Sequence, residues 1–96
     1  MLTIVEKISF KQRQIIIHSY LYYHRDTNII PDSMYDRLSY KLEELIKQYP
    51  VEFKQSEYYS CFKDWSHATG FDLYDQLSEE EKIRIHNIAD YLTRYK

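Results

Sequence analysis

Glycine is nearly absent from this chain: 96 residues contain one, Gly70, alongside two prolines. A β-rich domain of this length must turn many times, and tight turns lean on Gly, Asn and Asp for backbone angles that other residues resist. The workable architecture is therefore helices joined by a few loops. The length also limits the number of cores, because two would each fall below the size that usually folds alone. The expectation is an all-α fold, a small helical bundle of three to four helices forming a single domain over residues 1–96.

Composition narrows the class further. With 44% hydrophobic and 17% aromatic residues the chain is too apolar for a disordered tail. Its single cysteine, Cys61, excludes a disulfide framework and a multi-thiolate metal site, and it fits a reducing, cytoplasmic compartment. No stretch approaches the roughly 20 apolar residues of a membrane span, and the N-terminus lacks a signal-peptide core. A formal charge of −2 argues against nucleic acid as the main partner. Eleven tyrosines are more than a small core can use, since each buried hydroxyl wants a hydrogen-bond partner. The surplus points to a surface that stacks on something. Charge is also uneven: Lys7, Lys11, Arg13 and Arg25 stand against Glu6 alone, whereas Asp72, Asp75, Glu79, Glu80 and Glu81 form a stretch with no base. These are two solvated faces, or else a partner surface or homodimer contact between opposite ends.

Periodicity places the helices. Ser9 can cap a first helix whose stripe is Phe10, Ile17, Tyr20, Leu21 and His24, widened by Ile16 and Tyr23. The run Ile15-Ile16-Ile17 reads as a strand in isolation but lies inside this longer helical period. Asp26-Thr27-Asn28 has loop composition, and Ile30 before Pro31 is extended. Asp32 is then a good N-cap for a second helix with Tyr35, Leu38, Leu42, Leu45, Ile46 and Tyr49 on one face, a Glu43–Lys47 pair, and a stop at Pro50. Residues 51–77 lack a clean period; a short helix near 56–66 and a break at Gly70 are the expectation. A last helix is marked by Ser78 and Glu81 as a capping box, with Ile85, Ile88, Ala89, Leu92 and Tyr95 as its buried stripe. Residues 1–50 thus form a helical hairpin and 51–96 its helical completion.

One constellation carries chemistry. The chain reads Tyr20-Leu21-Tyr22-Tyr23, then Asp26, then Ile30-Pro31-Asp32-Ser33-Met34-Tyr35-Asp36-Arg37-Leu38, then Leu42-Glu43-Glu44-Leu45 and Tyr49-Pro50. This closely resembles the N-terminal nicotinamide-mononucleotide-recognition domain of bacterial NAD-dependent DNA ligases. The family pattern is a helix ending in Tyr-His or Tyr-Tyr, a short loop, and Ile-(Ser/Pro)-Asp-x-x-Tyr-Asp-x-Leu opening the next helix. The resemblance spans roughly the first half of the chain.

The resemblance implies nicotinamide nucleotide, NMN or NAD, as the bound cofactor. It implies that Tyr22 and Tyr35 flank the nicotinamide ring and that Asp32 and Asp36 hold the carboxamide or ribose side. The position of Tyr23 is usually a histidine that approaches the phosphate. His24 follows one place later, but one helical step turns a side chain by about 100°, so it is no simple stand-in. The residue types suit that ligand, because electron-rich phenol faces attract a cationic ring and carboxylates accept from an amide NH₂ and ribose hydroxyls. Taken singly the same residues have plainer roles, as helix-packing tyrosines, a cap, and a charge complementing a helix dipole. The second half departs from the ligases. Phe62-Lys63-Asp64-Trp65 and Thr69-Gly70-Phe71-Asp72-Leu73 look like the tail of small ligase-related proteins of phages of low-GC Gram-positive bacteria, which implies a phage-encoded protein in the host cytoplasm.

Other chemistries are weaker. Ligase adenylyl transfer needs a Lys-x-Asp-Gly lysine, but Gly70 follows His67-Ala68-Thr69 and these residues carry no such motif, so no enzyme activity is expected. Cys61, Asp64 and His67 do not share a helix face, which favours a buried thiol and a surface histidine over a nucleophile pair. His18, His24, His67 and His86 show no metal spacing, so no metal is expected. Tyr20, Tyr22 and Tyr23 among basic residues could stack on single strands, against the low basic count. The leading expectation is a non-enzymatic nicotinamide-nucleotide-binding module. The alternative is a protein-interaction module that binds and inhibits a host protein, such as a ligase adenylation domain or a defence factor.

Overall fold

The computed structural model describes residues 2–25, 29–63, 65 and 73–94. Its elements are α1 (Ile4–His24), α2 (Asp32–Gln48), α3 (Pro50–Lys54), α4 (Tyr59–Phe62), a 3₁₀ turn (Tyr74–Gln76) and α5 (Glu79–Arg94). All regular structure among the described residues is helical, as the scarcity of glycine requires.

Helix α1 is the axis of the bundle. It buries Ile15, Ile16 and Ile17 in succession, together with Ile8, Gln12, Ser19, Tyr20 and Leu21. Three adjacent residues at about 100° each sweep an arc wider than a single stripe, so α1 must be covered on two sides. The chain turns back after Arg25, so the first turn of α2 lies beside the last two turns of α1, where the Ser19 and Tyr35 hydroxyls are hydrogen-bonded. Helix α2 covers this side with Leu42 fully buried and Tyr35, Leu38, Leu45, Ile46 and Tyr49 half-buried against the core. The other side is covered by α5, through Ile85 and Ala89. Tyr20 bonds His86 at 2.9 Å and Arg25 pairs with Asp90 at 2.7 Å, so α5 runs parallel to α1.

Several boundaries differ from the sequence expectation, each for a local reason. Helix α1 starts at Ile4, not after Ser9. Thr3 is its N-cap, with Thr3 Oγ1 accepting from Glu6 N at 3.1 Å and Glu6 Oε1 accepting from Thr3 N at 3.0 Å. Those bonds hold the Glu6 carboxyl below its ordinary range. Ser9 instead accepts from the backbone N–H of Glu57, 3.0 Å away. Pro31, not Asp32, is the N-cap of α2, and Asp32 is its first helical residue, where its charge complements the helix dipole. Pro50 does end α2, and it also opens α3 as its first residue.

Of the helix expected over 56–66, the described residues form one at Tyr59–Phe62. The carboxamide of Gln12, fully buried, donates to Ser56 Oγ at 2.9 Å and accepts from Tyr58 N at 3.2 Å. These bonds, and that of Ser9 to Glu57, tie the turn ahead of Tyr59 to α1. Phe10 and Leu92, expected in buried stripes, are exposed. Phe10 points away from the side of α1 that buries Ile8 and Gln12. Tyr23 is also exposed. The expectations for Asp26-Thr27-Asn28, Asp64, His67, Gly70 and Tyr95 lie outside the described residues.

Much of the uneven charge is satisfied within the chain. Arg13 pairs with Glu57 at 3.0 Å, and Arg84 reaches Glu57 at 3.2 Å and Glu81 at 3.5 Å. His24 lies 3.7 Å from Asp75. No helix among the described residues is long and apolar enough to cross a membrane.

Candidate functional site

The loop between α1 and α2 brings a helix C-terminus beside a helix N-terminus, and a cleft of about 260 Å³ opens between them. It is lined by Tyr22 and Tyr23 from α1, by Asp32, Tyr35 and Asp36 from α2, and by His18 and Ile30. All five residues that the sequence singles out meet there. On α1, Tyr22 and Tyr23 are adjacent, with ring centroids 4.8 Å apart at 77°. On α2, Asp32 and Asp36 are one turn apart and so share a side of the helix, with Tyr35 between them.

Exposure sorts these groups. Tyr22 is 46% and Tyr23 52% exposed, so neither ring is spent on the core. Tyr35 is half-buried, and desolvation raises its phenol above the ordinary range, keeping it neutral and able to donate or accept at neutral pH. Asp36 is exposed, and its charge adds to the upward shift of Tyr35. Among the described residues no Lys or Arg lines the cleft, so it presents two carboxylates against aromatic faces. It can take a planar, cationic group with hydrogen-bond donors at its edge.

His24 does not enter this cleft. Its ring stacks on Tyr20 at 5.5 Å and meets Tyr74 at 5.0 Å, toward Asp75. The single helical step from Tyr23 to His24 thus carries the imidazole to the other side of α1. Tyr20, a candidate for stacking on single strands, is buried and bonded to His86 and Arg25. Cys61 is a buried thiol. Among the described residues no group of three His, Cys, Asp or Glu is placed to hold a metal.

Sequence reasoning missed His18 as a lining residue. The signal was available: His18 precedes Tyr22 by four positions and so lies on the same helix face. Its half-buried ring is held below the ordinary histidine range by desolvation.

Fold and cleft together define an all-α domain whose helical hairpin carries an acidic, aromatic site. Residues 1–59 match the family of DNA ligase-like, N-terminal NAD⁺-binding domains, and the chain belongs to that family. Over 46 residues, 48% of this chain, it is 47% identical to a DNA ligase of Pelotomaculum thermopropionicum. It is 48% identical over 45 residues, 47% of the chain, to a DNA ligase of Cellvibrio japonicus. Each match covers 7% of the ligase's own length. No solved structure matches the chain.

Proposed function

We propose that the cleft between α1 and α2 binds the nicotinamide half of a nicotinamide nucleotide, NMN or NAD, and that the domain does so without catalysing adenylyl transfer. The observation that carries this reading is the convergence of Tyr22, Tyr23, Asp32, Tyr35 and Asp36 on one cleft with no Lys or Arg among its described lining residues. Membership of an NAD⁺-binding domain family supports the same ligand. In this role Tyr22 and Tyr35 offer phenol faces to the cationic ring, and Asp32 and Asp36 accept from the carboxamide and ribose hydroxyls.

Size fits half a dinucleotide. Pockets that enclose a small ligand run to about 300–1,000 Å³, and this one falls just short. Ring and ribose fit while the phosphate end stays in solvent. Tyr23, standing where the ligases usually carry histidine, weakens the phosphate contact further. The 96 residues also contain no Lys-x-Asp-Gly motif, so the domain lacks the nucleophile for self-adenylylation. Together these features describe a module that sequesters or senses the nucleotide, in keeping with a phage-encoded protein acting in a host cytoplasm.

A second reading is a module that docks on a host protein and inhibits it. The exposed apolar side chains of Phe10, Val51, Ile83 and Tyr91, outside the cleft, favour it. Thermal-shift titration with NMN, NAD, AMP and an oligonucleotide separates the two. Stabilisation by NMN and NAD within a few-fold of each other, with none by AMP, is the result expected for the nucleotide module. No stabilisation by either nicotinamide compound passes the case to the interaction module. Incubation with labelled NAD and Mg²⁺ should leave the protein unlabelled, and covalent AMP in its mass spectrum would refute the non-enzymatic assignment.

A further inference from the structure

The cleft contains one titratable group that the nucleotide reading leaves idle. His18 faces Tyr22 and Tyr23 from its own helix and Asp32, Tyr35 and Asp36 from α2. Its ring is half-buried, yet it makes no hydrogen bond or ion pair with another described residue. The other described histidines are engaged. His86 bonds Tyr20 and Asp90, and His24 stacks on Tyr20 and Tyr74. An imidazole that is half-buried without a protein partner leaves its nitrogens to whatever fills the cleft.

Its chemistry matches a carboxamide. Neutral imidazole offers one donor and one acceptor, and a carboxamide offers an NH₂ and a C=O. Desolvation favours that neutral form at physiological pH. With His18 neutral the described lining residues carry only the charges of Asp32 and Asp36, which suits a pyridinium cation. Protonated, His18 has no acceptor for the NH₂ and sets a like charge against the ring. A ring bearing a carboxylate instead reverses the preference, because its own negative charge meets both aspartates unless His18 is protonated.

Resting on the nucleotide-binding reading, we propose that His18 contacts the ring's carboxamide and makes the cleft selective for the amide over the acid form of a pyridine nucleotide, through its protonation state. The probes are nicotinamide riboside and nicotinic acid riboside, which lack the phosphate whose own titration would confuse the result. They are titrated into the intact chain and followed by amide chemical shifts. Affinity for the amide riboside is expected to be level near neutral pH and to fall once the pH drops below the ordinary histidine range, with a limiting slope of about tenfold per pH unit, that of a single linked proton. The acid riboside should bind more weakly at the upper pH, and its affinity should stay level or rise on acidification.

The variant His18→Gln keeps an amide-matching side chain and removes the titration, while every other ionisable group of the cleft remains. It should bind the amide riboside within about threefold of the parent at neutral pH and lose the pH dependence. Amide-riboside binding that is present but level with pH, or that falls equally in H18Q, overturns the role of His18 and leaves nucleotide binding standing. Equal affinity for the two ribosides at neutral pH overturns the selectivity. Absence of binding by the amide riboside at every pH overturns both this inference and the reading beneath it.

Discussion

Replacing Gln12 by leucine tests how the second half of the chain is fastened to the helix that carries the cleft. Gln12 is fully buried. Its Nε2 donates to Ser56 Oγ at 2.9 Å and its Oε1 accepts from Tyr58 N at 3.2 Å, while Ser56 Oγ donates to Phe53 O at 2.6 Å. The substitution leaves the serine its bond to Phe53 but strips the buried Tyr58 N–H of its acceptor. An abandoned buried donor costs about 1–3 kcal/mol, and the larger apolar surface of leucine recovers part of that. A net loss of about 2 kcal/mol lowers the melting temperature by roughly 8–16 °C for a domain of this size. Far-UV circular dichroism melts of the two proteins give the value directly. A change within about 0.5 kcal/mol, the range of an ordinary surface substitution, would show that this clasp does not hold α1 to the segment after α3.

Other outcomes follow from the same structure. Tyr22→Ala and Asp36→Ala should each reduce NMN binding below detection while barely moving the melting temperature, because both side chains are exposed; calorimetric titration and a melt on each variant check this. Ser39→Ala should leave stability unchanged or raise it by up to about 1 kcal/mol, since the Ser39 hydroxyl is fully buried with no partner among the described residues, and chemical denaturation measures it. The His18 ring titrates below its ordinary 6.5 in the folded chain, so the unfolded state takes up its proton first as pH falls. Its contribution is therefore complete above the ordinary value and is lost progressively below it, down to the folded value. Melting temperatures of the parent should drop more steeply through that window than those of His18→Gln, and parallel curves would refute the assignment.

The helical class and the cleft were legible because they depend on short-range chemistry. One glycine and the stripe from Tyr35 to Tyr49 settle the hairpin, and the motif from Tyr22 to Asp36 lies on either side of a single loop, so its residues meet without any long-range contact. What escaped depends on contacts far apart in sequence. The turn before Tyr59 is bonded to Gln12, 44 residues before Ser56. Ile8 and Gln12, not Phe10, face the core from the start of α1, and the polar Gln12 is buried there only because Ser56 and Tyr58 bond it from far along the chain. Thr3 and Glu6 have capping-box spacing in the sequence, but the apolar stripe that marks the helix begins only at Phe10, next to Ser9. His18 has no metal spacing, but its four-residue step to Tyr22 puts it on the same helix face.

The most direct test of the account is an amide chemical-shift titration of the ¹⁵N-labelled chain with NMN. The half-open cleft offers two ring contacts and a few charge-assisted hydrogen bonds against the lost freedom of the ligand, which gives a Kd on the order of 0.1–1 mM. Saturable shifts concentrated at His18, Tyr22, Asp32, Tyr35 and Asp36 are the predicted result. Millimolar NMN that moves none of these resonances, or moves only residues around Phe10 and α5, would contradict it.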